Sequence, residues 1–364
     1  MEGNKRVSNK QIRAMVVSTI VGVGILSLPN QLAMASGNDG WVSILVAGLL
    51  TIGVVVFIGK IFDIYPDKDF FQIGREVLGN GIFSIFLIIL FAYFIALVAF
   101  LSRSLAELIR AFLLATTPTE VIIITFILCT SYIAREEINI IGRLAYHIYP
   151  LILISTAALI IVSIPGLDPT NILPLFQSNV KEVPGGIRTS FFSFVGYEIL
   201  LFSFFYSEKK DGRLKSAIQG VLIVMLIYVT IFFTTLAQYG LHGLQRQAYP
   251  TLSLVKEIDL PGFFVENLDG VAMAIWVLIV FSTMAPSYYS AAKVFSNLLN
   301  VKDHSMFILP ILPIAYIISL LPQNTVTLTE TLGKFLDYSG LIVIVILPVL
   351  IYFVGIYKLR RNKK

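Results

Sequence analysis

Apolar residues in this chain come in long blocks. Runs of about 20 residues rich in Leu, Ile, Val and Phe alternate with short stretches that hold most of the charges, the spacing expected of α-helices crossing about 30 Å of hydrocarbon. Read this way, the pattern predicts helices near 11–36, 41–63, 82–113, 118–134, 140–164, 185–206, 213–240, 263–297, 304–321 and 330–357. One stretch departs from it. Phe70-Phe71-Gln72-Ile73-Gly74-Arg75-Glu76-Val77-Leu78 is too short and polar to cross, and its spacing predicts an amphipathic helix on the cytoplasmic surface with its apolar side in lipid.

Composition turns this pattern into a class. The 364 residues are 57% hydrophobic and 13% charged, against roughly 25% charged in soluble domains, and a soluble fold could not hide that much apolar surface. The expectation is an all-α membrane protein with about ten transmembrane helices, one transmembrane domain over residues 1–364. Lys5, Arg6, Lys10 and Arg13 precede a glycine-bearing apolar run without a small-residue cleavage site. A retained first helix is therefore expected, with no soluble domain on either side. Cys129 is the only cysteine, which excludes an internal disulfide framework and a cysteine metal cluster. With the N-terminus inside, the predicted spans put 20 of the 27 lysines and arginines at the cytoplasmic face. Both termini are then cytoplasmic, and the Lys358–Lys364 tail reads as a topology anchor instead of a nucleic-acid site.

Ten spans divide into two sets of five, about 11–164 and about 185–357. Because five is odd, the second set must run opposite to the first, the inverted-repeat geometry of many secondary transporters. The first helix of each set has a weak point: Val21-Gly22-Val23-Gly24-Ile25 in one and Phe194-Val195-Gly196-Tyr197 in the other. Glycines cost about 1 kcal/mol each within a helix, and Pro29 disfavours helical angles at Leu28. Unwound backbone in a bilayer persists only where it lines a cavity or meets a ligand. The N–H groups near Gly24, Ile25 and Leu26 would suit a carboxylate, and carbonyls of the other break an ammonium; packing of small residues is the alternative use of such glycines.

Other polar residues stand out against the apolar background. Glu198 lies within the sixth span, where a charge costs about 2.5–3.5 kcal/mol on insertion scales; it reads as a proton site, a support for the broken segment, or a carboxyl bonded to backbone or tyrosine. Arg103, Glu107 and Arg110 share a face of the third helix, with Arg103 and Glu107 read as a structural ion pair. Tyr93, one to three turns deeper in that helix, could reach a central cavity, although an aromatic there usually serves packing. Ser282 and Thr283 in the eighth helix could supply oxygens to a sodium ion, although such hydroxyls usually bond their own helix. Trp276 faces either cavity or lipid. His147, His242 and His304 are far apart, and the glycines of the first helix lack the strand and acidic residue of a dinucleotide site. No metal, cofactor or enzymatic constellation is expected.

Two strings, Gly22-Val23-Gly24-Ile25-Leu26-Ser27-Leu28-Pro29 and Phe191-Phe192-Ser193-Phe194-Val195-Gly196-Tyr197-Glu198, resemble the first- and sixth-helix motifs of the amino acid, polyamine and organocation transporter superfamily. Asp39-Gly40-Trp41, Ser102-Arg103-Ser104-Leu105-Ala106-Glu107 with Thr117-Pro118, and Tyr249-Pro250-Thr251-Leu252-Ser253-Leu254 resemble the B subunit of the nutrient germinant receptors of endospore-forming bacteria. The resemblance implies a place in the spore inner membrane, assembly with A and C subunits, and a midplane site for a germinant, commonly a small amino acid. It carries Gly22, Val23 and Gly24 onto the carboxylate loop and Phe194, Val195 and Gly196 onto the facing break. Proton-coupled relatives can carry a fifth-helix lysine, which Leu151–Ile164 lacks. A permease coupled to protons or sodium, and a pore-forming or scaffold subunit, are the alternatives.

Overall fold

The structure is a computed structural model, and it describes residues 6–22, 24–176, 183–256 and 268–362. The first predicted helix is divided into α1 (Asn9–Ile20) and α2 (Gly24–Ser36), followed by α3 (Gly40–Ile64), α4 (Phe70–Leu78), α5 (Asn80–Phe112), α6 (Thr119–Ala134) and α7 (Ile138–Ser163). The later part comprises α8 (Val183–Ser193), α9 (Leu200–Ser203) flanked by single 3-10 turns, α10 (Arg213–Arg246), α11 (Pro250–Lys256), α12 (Leu268–Leu298), α13 (Ser305–Leu320), α14 (Thr325–Leu328), α15 (Lys334–Gly340) and α16 (Leu347–Asn362). The last three form one run, joined by π-helical turns at Thr329–Gly333 and Leu341–Ile346.

Six helical runs among the described residues are long and apolar enough to cross a membrane: Gly24–Ile64, Asn80–Phe112, Ile138–Gly166, Arg213–Arg246, Gly270–Leu298 and Thr325–Arg361. The segments Pro184–Ser193 and Tyr197–Tyr206 form a pair bent by 49°. Two further apolar helices, α6 and α13, have 16 residues each. The 41-residue run Gly24–Ile64 doubles back at Gly37, whose φ is +57°. A Cβ on Gly40 would lie 2.9 Å from that of Leu32, and the Ser36 and Ser43 hydroxyls are 3.2 Å apart. Residues seven or eight apart on a straight helix are about 10–12 Å apart along its axis, so α2 and α3 are two antiparallel arms.

At the bundle centre α5 packs along α12, α1 lies between α7 and α10, and α8 rests on α2 and α3. One face gathers both ends of the chain. Val7 donates its N–H to Tyr206 O (2.8 Å) and accepts from Glu208 N (2.9 Å), and Asn9 bonds Asp211 O. Lys210 pairs with Asp67 at 3.2 Å, Lys68 with Glu76, and Lys358 at the end of α16 donates to Glu76 O at 3.0 Å. This chain of contacts places the N-terminal segment and the end of the last helix on the same side.

The amphipathic helix exists as predicted, but its apolar side does not face lipid. Phe70, Phe71, Ile73, Gly74 and Val77 are buried in the protein. Gly74 has no side chain to obstruct the Phe83 ring, which occupies the space a Cβ would need, and Phe70 and Phe71 pack edge-on or tilted against Phe202. Amphipathic spacing specifies an apolar side without specifying what covers it.

Candidate functional site

The two breaks meet at the centre of the molecule. Val21 leaves helical angles (φ −77°, ψ 82°), Gly22 N–H turns back to Ile20 O at 2.9 Å, and α2 starts at Gly24; Val23 lies outside the described residues. In the sixth helix, Phe194 and Val195 N–H groups turn back to Phe191 O and Phe192 O (3.1 and 3.2 Å), and Gly196 takes φ +128°. A Cβ there would sit 2.5 Å from Thr19 O. Glycine is thus required twice over at Gly196, by its backbone angle and by the approach of α1.

Side chains from the sixth helix itself and from other helices occupy the polar groups these breaks expose. Glu198, buried, accepts from Gly196 N–H at 2.7 Å with one oxygen and from Tyr93 OH at 2.9 Å with the other. Its geometry is that of a carboxyl supporting the broken segment, bonded to backbone and to a tyrosine of α5. Tyr228 of α10 places its hydroxyl 2.8 Å from Ser193 O and 3.1 Å from Ile20 O, one carbonyl from each broken helix. Thr283 donates to Ser18 O at 2.8 Å and lies 3.5 Å from Val21 O. Ser282 does not join it: its hydroxyl is buried without a hydrogen-bond partner, because neighbours on a helix point about 100° apart. The described residues contain no group of three His, Cys, Asp or Glu able to hold a metal ion.

Above the breaks lies a cavity of about 730 Å³. Gly22, Gly24, Tyr93, Val195, Gly196 and Thr283 line its floor, Leu97, Phe100 and Phe192 its walls, and Arg188, Tyr249, Glu330, Lys334 and Asp337 its upper part. Exposed Gln31 and Glu330 connect it to the surface, and Arg188 faces Asp337 at 3.4 Å. Beneath it, towards the face carrying the chain ends, Phe94, Phe70 and Phe71 all pack on Phe202 with ring centroids 5.8–5.9 Å apart.

Three of the residues expected at the ligand do not line this cavity. Ile25 is in the apolar core, Phe194 packs on Tyr228 at 5.2 Å, and Tyr197 directs its hydroxyl to Ile344 O at 3.4 Å. Successive residues of a turn point in different directions, so a run of four such as Phe194–Tyr197 cannot present every side chain to one space. Trp276 is also absent from the lining, with its Nε1 buried and unbonded. Near the upper end of α5, Arg103 binds Glu107 at 2.7 Å and donates to Gln323 O at 3.1 Å, whereas Arg110 turns to Thr119.

A family model described as spore germination protein matches residues 6–327. The chain belongs to that family. It is 25% identical over 359 residues to spore germination protein YndE of Bacillus subtilis (strain 168), covering 98% of each chain. Against spore germination protein GerLB of Bacillus cereus the identity is 27% over 363 residues, 99% of this chain and 96% of the relative. The B-subunit resemblance read from the sequence falls within this family. Among solved structures, a Na+-coupled sialic acid symporter superposes with TM-score 0.70 at 14% identity, over 97% of this chain and 80% of its own. MhsT, in complex with L-phenylalanine, gives 0.69 at 13%, over 94% and 87%. These likenesses establish the fold, an integral membrane bundle of inverted repeats with broken first and sixth helices.

In this spore germination protein the strings that carried the resemblance are struts around the cavity. Asp39 accepts from Phe176 N–H at 2.6 Å and Trp41 stacks edge-on against Phe176, fixing the connection between the halves to the α2–α3 corner. Tyr249 lines the cavity and packs on Phe112 at the end of α5. Sequence reasoning missed Tyr228, because a tyrosine within an apolar run carries no periodic signal.

Proposed function

We propose that this protein is a germinant receptor subunit that binds a small amino acid between the two breaks and passes the binding event to A and C partner subunits. The observation that carries this reading is the contact of both broken helices at Gly196 and Thr19, beneath a cavity of about 730 Å³, within the roughly 300–1,000 Å³ of small-molecule sites. The carboxylate would meet the free N–H groups at the start of α2, near Gly24, Ile25 and Leu26. Leu97, Phe100, Phe192 and Val195 offer its side chain an apolar wall. The two repeats, about 11–164 and about 185–357, form one transmembrane domain and share this site.

Orientation follows from charge. The face carrying the chain ends also carries the larger share of lysine and arginine, so both termini are cytoplasmic in the spore inner membrane and the cavity opens outward. On the cytoplasmic side, Arg213 bonds Asp63 at 2.8 Å and Phe204 O at 3.2 Å, and Val7 is paired to the end of the sixth helix. A receptor can keep this side closed and respond by a shift between conformations; a permease must open it.

Binding and uptake separate the two. An amino acid that stabilises the purified protein is expected to bind to proteoliposomes in a saturable manner and not to accumulate inside them under a proton or sodium gradient. Gradient-dependent accumulation would replace the receptor reading with the permease, which the symporter-like fold keeps in view.

A further inference from the structure

Pro29 lies inside α2 and has no amide hydrogen. The carbonyl four residues before a helical proline loses its partner, and here that carbonyl belongs to Ile25, in the first turn after the break. Thr251 of α11, itself buried, directs its hydroxyl to Ile25 O at 3.1 Å. The two strings Gly22–Pro29 and Tyr249–Leu254, 226 residues apart at this contact, are therefore complementary: one removes a donor and the other supplies it.

The segment that leads into the short helix carrying Thr251 borders the upper cavity. Ala248 and Tyr249 line it, Tyr249 bonds the Thr325 side chain at the start of α14 and packs on Phe112 of α5. Just before it, Asn30 of α2 holds Leu244 O and Gln245 O, and Gln245 holds Ala33 O. The upper half of the first helix, the end of α10 and α11 are thus bound into one body, and Thr251 is its attachment nearest the break.

We propose that Thr251 is a positioning residue of the ligand site, whose hydroxyl replaces the amide that Pro29 lacks and latches α11, together with the cavity-lining Ala248 and Tyr249 before it, to the backbone that faces the ligand. That the backbone faces a ligand rests on the proposed function; the latch itself does not. A parallel arrangement occurs in the last run of helix, where Pro348 can give no amide to Ile344 O and Tyr197 of the sixth-helix break directs its hydroxyl there.

The test is a double-mutant cycle on the full chain in detergent without ligand, in a Cys129→Ser background carrying Ser27→Cys in the cavity. It reads thermal stability and the rate of reaction with a small cationic methanethiosulfonate. Thr251→Val is expected to lower the melting temperature and to raise the labelling rate on the order of tenfold, the equivalent of one lost buried hydrogen bond. Thr251→Ser should match the wild type. Pro29→Ala restores an amide to Ile25 O, so adding Thr251→Val to it should cost no further stability while labelling stays fast. Additive losses of stability, or labelling indifferent to Thr251, would overturn the latch. If Thr251→Val alone does not fold, the comparison of Pro29→Ala with Pro29→Ala/Thr251→Val decides it on the same two readouts. Because no ligand is present, failure of this cycle is distinct from failure of amino-acid binding in the wild type.

Discussion

A carboxyl group in the middle of an apolar helix must find partners or leave the membrane, and Glu198 finds two on other residues, the Gly196 amide and the Tyr93 hydroxyl, beside its own amide. Glu198→Ala leaves both donors buried and unpaired, each worth about 1–3 kcal/mol. It should lower the melting temperature more than Tyr93→Phe, which removes one bond and orphans no donor; equal losses in a thermal scan would mean that Gly196 N–H does not depend on Glu198. Glycines divide in the same way. Gly196→Ala forces a Cβ to 2.5 Å from Thr19 O at a positive φ and should impair folding, whereas Gly24→Ala meets nothing closer than 3.9 Å and should be near neutral in the same scan. Glu198 and the glycines were legible because each contradicts its apolar helical surroundings. Tyr228 and Thr251 were not, since their meaning lies wholly in distant carbonyls. Outside the spans, Asp303 caps Ser305: bonds from its amide and hydroxyl hold the carboxyl below the usual carboxylate range. A depressed acid stabilises above its unfolded value and loses that contribution as pH falls through the folded one. Asp303→Asn should therefore be less stable than wild type at neutral pH and converge with it in acid, as followed by melting temperature against pH.

Elements were legible to the extent that period and length specify them. Long apolar runs predicted the long helices, while α11 (Pro250–Lys256), too short to make such a run, fell between the predicted windows, and ends and surroundings needed more. The last run starts at Thr325 and not near residue 330 because Asn324 caps it, accepting from Thr327 N–H at 2.8 Å. That asparagine was a readable start signal, and Asn324→Ala should cost about 1 kcal/mol. The surroundings of α4 could not be read, since an amphipathic helix has the same pattern against lipid as against protein. Burial against Phe83 and Phe202 makes α4 part of the closure beneath the cavity. Gly74→Leu must displace Phe83, whose ring occupies that space, and should loosen this side without touching the cavity. Faster hydrogen exchange in α4 with unchanged exchange in α2 would be the expected result, and unchanged exchange in α4 would show that its packing is dispensable.

At the scale of the molecule, one face is tied shut by the N-terminal segment, Arg213 and the phenylalanines around Phe202, while the other opens into a cavity that ends on two broken helices. That asymmetry fits a protein that receives a ligand from one side and reports on the other. It was half legible: the paired breaks pointed to two repeats that meet at one site, but a single sequence without contacts could not tell which side is closed. The central claim is that a small amino acid binds at the breaks, and thermal stabilisation tests it most directly. The purified protein would be screened with each common amino acid, and the best one repeated on Gly24→Trp, whose side chain should fill the cavity floor. At least one amino acid should raise the melting temperature of the wild type and leave that of Gly24→Trp unchanged. A well-folded wild type that no amino acid stabilises, or equal stabilisation of both proteins, would contradict an amino-acid site at the breaks.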